Sequence, residues 1–320
     1  MDILVTGVAG FIGSNVALRL LNAGVNVCGI DNMNSYYDVR LKEYRLGLLK
    51  GQRRFHFKHI DLSDRESTEK LFENGKFDIV VHLAAQAGVR HSLSAPFDYV
   101  DSNLVGMMTI LEGCRHSQIQ HLVYASSSSV YGANTKIPFS ESDRVDSPVS
   151  LYAATKRCNE LMANSYSCLY GIPCTGLRFF TVYGPAGRPD MAPWLFTSAI
   201  LKGKPINVYN GGEMIRDFTY IDDIVEGVVR ICEKPPASTV PHEIYNIGNN
   251  SPVKLMRFIE AIERSCGLVA KKNFVGMQQG DVPVTYADID ALESAVGYRP
   301  QVEIEEGIDR FVCWFRDTWL

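Results

Sequence analysis

Apolar residues fall in two rhythms along this chain. Residues 2–6, 26–30, 77–83 and 121–126 are short runs rich in apolar residues, and 55–60 and 174–179 are strand-length runs that mix apolar with polar positions. That is the pattern of strands buried on both faces of a parallel sheet. Between them, residues 11–23 carry apolar side chains at three- and four-residue spacing, as helices packed by one face do, and 65–74 and 103–114 also read as helices. Gly24 stops the first helix. Strand and helix alternating at this pace predict an α/β fold: a doubly wound parallel sheet of the Rossmann type, with right-handed crossovers.

The rhythm breaks after residue 179. Pro185, Pro189, Pro193 and Pro205 fall close together with glycines between them, predicting departure from the sheet into a second, irregular region. Residues 225–233 look helical again, 243–247 look like a strand, and 255–266 and 304–317 are amphipathic helices. The chain therefore divides into a Rossmann domain at residues 1–178, with 217–250 returning to it. Residues 179–216 and 251–320 form a smaller, discontinuous substrate domain over the sheet's carboxyl edge.

Composition narrows the class. The 320 residues suffice for two packed domains, and 46% hydrophobic with 21% charged residues describes a soluble globular protein. A net charge of -4 leaves no basic surplus for nucleic acid, and Arg53-Arg54 reads as a solvated loop. No apolar stretch has membrane-spanning length, and no secretory leader pattern precedes the first strand. The eight cysteines form no C-x-x-C pair and read as reduced thiols of a cytoplasmic protein. The seven histidines have no ligand spacing, so no metal site is expected.

Two local patterns carry chemistry. Gly7, Gly10 and Gly13 lie between the first strand and first helix, with Phe11 and Ile12 opening that helix. A tight turn, close approach of backbone to a diphosphate and helix–sheet contact each need a missing side chain, and the helix start offers free N–H groups to phosphate. Asp31, with Asn32 after it, ends the second strand. A carboxylate there suits a ribose 2′-hydroxyl and repels a 2′-phosphate, favouring NAD over NADP. Asp61 and Leu62 end the third strand beside the expected adenine, and Leu83, Ala84 and Ala85 end the fourth with small residues where a cofactor lies flat.

The second pattern is Tyr152-Ala-Ala-Thr-Lys156, four residues apart on one predicted helical face. A phenol ionises near pH ~10 and is a poor base at neutrality. A neighbouring ammonium, together with oxidised nicotinamide, would stabilise the phenolate. Alone, such a pair is an ordinary solvent-facing helix contact. The run Ser126-Ser127-Ser128-Ser129 after the fifth strand changes that reading, because this sheet edge meets the cofactor. Ser127 then offers a proton path between a substrate hydroxyl and Tyr152.

With these motifs, and the serine run before Val130-Tyr131-Gly132, the chain resembles the extended short-chain dehydrogenase/reductase family over nearly its whole length. Residues 31–37, 84–90, 184–192 and 216–223 resemble its UDP-glucuronate 4-epimerase branch. The resemblance implies a UDP-sugar substrate, a homodimer through helices near 103–114 and 155–170, and several substrate contacts. Arg216 would bind the diphosphate and Asp281 the uridine ribose; Val208, within 205–209, would lie beside the uracil, and Arg90 would also face the sugar nucleotide. Gln279 stands where related enzymes have proline. Related dehydratases place acids directly after the catalytic Ser/Thr, and a decarboxylase places Glu at the second position; this chain has Ser128 and Ser129. The fate then implied for a 4-keto sugar is epimerisation. Ser128, Ser129, Thr181 and Arg188 are the candidates to hold a uronate carboxylate. A galactose-type epimerase acting on a neutral hexose, and a catalytically silent NAD-binding regulatory protein, are the alternative readings.

Overall fold

The computed structural model describes residues 1–277 and 282–320. Its strands are β1 Asp2–Thr6, β2 Asn26–Asp31, β3 Phe55–His59, β4 Ile79–His82, β5 His121–Ser127 and β6 Cys174–Phe179. They continue with β7 Thr181–Tyr183, β8 Ile206–Val208, β9 Ile215–Tyr220, β10 His242–Ile247, β11 Pro252–Lys254 and β12 Lys272–Phe274. Seven form one parallel sheet in the order β10-β6-β5-β4-β1-β2-β3. Every residue of β4 and β6 is buried, because helices cover both faces. Edge strand β3 instead exposes Lys58 and His59, charges that blunt pairing with other sheets. The order reverses at β1, whose neighbours are β2 and β4, so the crevice at the strands' carboxyl ends opens there.

Helix Leu151–Tyr170 positions the Tyr152/Lys156 pair. Ser150 caps it by accepting from the Ala153 N–H at 3.1 Å, and Gly171, at φ 67°, ends it. Ala153, Lys156, Glu160, Ala163 and Ser167 are its buried stripe, at the spacing of one helical face.

The region expected to be irregular has regular structure of its own. Strands β11-β9-β7 form a three-stranded sheet, and β12 pairs with β8. Helix Ala192–Leu201 starts with Pro193 in its first turn, where a missing N–H is harmless, and is apolar on most sides. A helix buried this widely shows no periodic signal. The return to the large sheet, expected at 217, begins with helix Ile221–Cys232, since β9 belongs to the small sheet. Helix Val39–Lys50 escaped the pattern because its buried positions include Lys42 and Arg45. All three tryptophans of the chain cluster there: Trp194 lies 5.6 Å from Trp314 and 5.2 Å from Trp319. Trp314 Nε1 donates to Tyr44 of that helix at 3.0 Å. No helix among the described residues is long and apolar enough to cross a membrane.

Candidate active site

A cleft of about 900 Å³ opens at the carboxyl edge of the large sheet. The glycine turn lines it through Gly7, Gly10, Phe11, Ile12 and Gly13. So do Asp31, Asn32, Asp61, Leu62, Leu83, Ala84 and Ala85 from the strand ends, and Ser127, Ser128, Ser129, Tyr152 and Lys156. Arg90, Thr181, Arg188 and Arg216 face the same space. Val208 does not line it: strand β8 alternates, and Val208 points into the core with no exposure, while the next residue, Tyr209, reaches the cleft. Asp281 and Gln279 lie outside the described residues.

The glycine turn leaves no room for side chains. Gly7 has φ +68°, and a Cβ on it would fall 2.8 Å from the Ala84 backbone. A Cβ on Gly13 would fall 2.1 Å from the Gly7 carbonyl oxygen. The first turn of helix Phe11–Asn22 is thereby pressed onto the loop; its start has no side-chain cap, and Gly10, Phe11, Ile12 and Gly13 line the cleft. This is a fit for a dinucleotide diphosphate. Asp31 braces the turn as well as ending β2. Its carboxylate accepts from the N–H groups of Ala9 at 3.1 Å and Met33 at 2.8 Å, and pairs with Lys42 at 3.5 Å. Asn32 Nδ2 donates to Asp61 at 2.9 Å. Burial raises the Asp61 pKa, but hydrogen bonds from Asn32 and Ser63 outweigh it and leave the carboxyl below its usual range.

The chemistry-bearing groups meet at the ends of β5 and helix Leu151–Tyr170. Ser126 donates to Glu160 at 2.6 Å, and Arg178 closes on the same buried carboxylate at 2.8 and 3.0 Å, which pins the start of the serine run. The Ser127 oxygen accepts from the Ser129 N–H at 3.1 Å, and Ser127 hydrogen-bonds the Tyr152 phenol. Lys156 Nζ donates to the Ala125 carbonyl at 2.9 Å. Burial alone pushes its ammonium down to about 8. The phenol differs from expectation. Burial raises the Tyr152 pKa, and the opposing influences are the Ser127 hydrogen bond and the charge of Arg188, rather than that of Lys156. Burial outweighs both, so the net shift favours the neutral phenol.

Arg188 is held by a short-range clamp. Its Nε and Nη2 donate to the two oxygens of Asp190 at 3.0 and 2.5 Å, and Tyr36 donates to Asp190 at 3.1 Å. Arg90 stacks over Tyr209 at 5.6 Å, and Arg216 donates from Nη1 to the Ile215 and Pro283 carbonyls, each at 3.0 Å.

Residues 3–248 match the NAD dependent epimerase/dehydratase family. The chain belongs to that family. Among its relatives, protein CapI of Staphylococcus aureus is 53% identical, covering 100% of this chain and 99% of CapI. The probable UDP-glucuronate 4-epimerase of Rhizobium meliloti is 48% identical, covering 100% of this chain and 98% of the relative. A solved structure, the UDP-glucuronic acid 4-epimerase of Bacillus cereus in complex with UDP-glucuronic acid and NAD, is similar with a TM-score of 0.93. It is 34% identical, and each chain is covered over 100% of its length.

In this epimerase/dehydratase family member, several polar residues of the site carried no local sequence signal. Asn103 is buried in a π-helical turn, Val100–Val105, the kind of widened turn that re-aims a side chain. Residues 103–114 were expected to form one regular helix; the α-helix proper is Gly106–Ser117. Asn103 Oδ1 accepts from the Gln86 N–H at 2.8 Å, and its Nδ2 donates to Thr155 Oγ1 at 3.0 Å. Thr155 in turn donates to the Tyr152 carbonyl at 2.8 Å. The end of β4 and the helix bearing Tyr152 are thus tied through one amide. Lys42, Tyr36 and Asp190 were missed for the same reason: each partner is remote in sequence or lies in a loop without period.

Proposed function

We propose that this protein is a UDP-glucuronate 4-epimerase, interconverting UDP-glucuronate and UDP-galacturonate through a 4-keto sugar with tightly bound NAD. The observation that carries the reading is one cleft holding Tyr152, Arg188 and the hydroxyls of Ser127, Ser128 and Ser129. It joins a proton-transfer group to a carboxylate-binding group and has no acid within that serine run. Gly7, Gly10, Phe11, Ile12 and Gly13 hold the cofactor diphosphate. Asp31 and Asn32 take the adenosine ribose, Asp61 and Leu62 meet adenine, and Leu83, Ala84 and Ala85 form the floor. NAD supplies a hydride acceptor and donor at C4 of the sugar.

Tyr152, with Ser127 as relay, removes the C4 hydroxyl proton and returns it on the other face after the ketone has turned. Lys156 holds the cofactor ribose. A 4-keto uronate is a β-keto acid and loses carbon dioxide when its carboxylate aligns with the carbonyl π-system. Ser128, Ser129, Thr181 and Arg188 stabilise the carboxylate charge and hold it out of line. Arg216 takes the UDP diphosphate, Asp281 the uridine ribose, and Arg90 with the segment 205–209 the nucleotide end. On this reading residues 1–178 and 221–250 serve NAD, and 179–220 with 251–320 serve the UDP-sugar.

The same proposal makes the protein a cytoplasmic homodimer. Leu161, Leu169 and Tyr170 on helix Leu151–Tyr170, with Met108 on helix Gly106–Ser117, are exposed apolar side chains that support a paired helical face. Purified protein given UDP-glucuronate without added NAD is expected to form UDP-galacturonate, with no NADH accumulating. Stoichiometric NADH would make it a net oxidase instead, and preference for UDP-galactose would replace the uronate by a neutral hexose.

A further inference from the structure

Helix Val39–Lys50 carries a buried arginine that none of these roles uses. Arg45 has no exposure, and among the described residues none of its hydrogen bonds goes to a carboxylate. Its guanidinium is spent on three segments instead. Nη1 donates to the Ala9 carbonyl in the glycine turn at 3.2 Å and to the Tyr37 hydroxyl oxygen at 2.6 Å. Nε and Nη2 donate to the Ala186 carbonyl at 2.9 and 2.7 Å, and Nη2 also reaches the Gly187 carbonyl at 3.2 Å.

The receiving loop needs such support. Ala186 has φ +56°, a left-handed conformation that a side chain disfavours. The next residue but one is Arg188, whose fork is turned onto Asp190. Two N–H groups aimed at the carbonyl of a strained residue hold that turn in one conformation. A buried cation directly behind Ala9 also adds positive potential to a turn whose other donors are backbone N–H groups.

We propose that Arg45 is a positioning residue that ties the glycine turn to the loop bearing Arg188, so that cofactor retention depends on its buried charge and uronate recognition on its planar fork. This rests on the UDP-glucuronate reading for its substrate arm and on the glycine turn alone for its cofactor arm. Lysine keeps the charge but presents no rigid fork to two carbonyls. The two functions therefore separate by substitution.

The test compares wild type with Arg45→Lys, Arg45→Met and Tyr37→Phe as purified holoenzymes. NAD released on denaturation is quantified per protomer. KM and kcat for UDP-glucuronate, and the Kd of UDP, are then measured at saturating NAD. Arg45→Met is expected to lose most of its NAD. Even with NAD restored, its KM for UDP-glucuronate should rise roughly 10–100-fold, the value of a hydrogen bond to a charged group, with a smaller change in kcat. UDP has no sugar carboxylate and should keep its affinity. Arg45→Lys should retain NAD yet show the raised KM, and Tyr37→Phe should shift both readouts less. Should Arg45→Met fail to fold, the other two variants decide.

A KM restored to the wild-type value by added NAD would remove the link to the Arg188 loop, and full NAD content in Arg45→Met would remove the cofactor arm. Equal losses for UDP and UDP-glucuronate would make Arg45 a general structural residue. Wild type that neither binds nor converts UDP-glucuronate overturns the substrate reading and with it the substrate arm, while NAD content still judges the cofactor arm.

Discussion

Arg188→Ala tests the uronate reading most directly, and the Asp190 clamp sets its size. Two effects add. The substrate carboxylate loses a charged hydrogen-bond donor, worth about 1.5–3 kcal/mol or roughly 10–100-fold. Asp190, which Arg188 neutralises through two hydrogen bonds at 3.0 and 2.5 Å, is left as an uncovered anion beside the uronate. At a separation of about 6 Å and an effective dielectric constant of about 20, that repulsion is roughly 3 kcal/mol before salt screening reduces it. The single variant should therefore lose more than 100-fold in kcat/KM for UDP-glucuronate, by these two terms together about 10³–10⁴-fold. Arg188→Ala/Asp190→Ala removes both charges and should recover to a loss of roughly 10–100-fold, the hydrogen-bond term alone. A neutral UDP-glucose meets neither term and should change little. The assay is steady-state epimerisation of both sugars by the wild type and the two variants, with mass analysis of products, since a loosened carboxylate should also release some UDP-pentose. Equal losses on both sugars, or no recovery in the double variant, would mean that Arg188 does not hold the uronate carboxylate.

Other outcomes follow from the same geometry. Tyr152→Phe should lower kcat by about 10²–10⁴-fold while calorimetric binding of the UDP-sugar stays near wild type; a normal rate would exclude the phenol from proton transfer. In Gly13→Ala the new Cβ falls 2.1 Å from the Gly7 carbonyl oxygen, so the helix start must move, and the purified variant should have lost its 260-nm NAD absorbance; retained NAD would contradict the cradle. Burial lowers His82 to about 3 and His121 and His242 to about 4, all below the unfolded value of about 6.5. Each imidazole is neutral in the fold, so its stabilisation is present above pH ~6.5 and is lost as pH falls toward the folded pKa, at up to about 1.4 kcal/mol per pH unit and histidine. Urea midpoints should fall between pH 7 and 4, less steeply in His121→Gln, and a flat profile would show that these histidines are not buried neutral.

Much of the protein was legible in the chain because the deciding physics was local. Strand β1 and helix Leu255–Cys266 occupy the expected residues, since a continuous apolar run and a one-sided apolar stripe each favour a single kind of burial. The glycine turn and the Tyr152/Lys156 pair were readable because their geometry is completed within a few residues. What the chain did not disclose depends on contacts far apart in sequence. Arg45 meets Ala186 across 141 positions, and Tyr36 meets Asp190 across 154. The buried Lys42 and Arg45 also interrupt the apolar period that would have marked their helix. Val208 turned inward because strand alternation, set by the core beneath it, decides which side chain faces the cleft. The fold class and the glycine turn thus belong to the sequence alone. The clamp on Arg188, the upward shift of the Tyr152 phenol and the strut at Arg45 belong to the tertiary structure, because burial and charge proximity exist only once distant segments have packed.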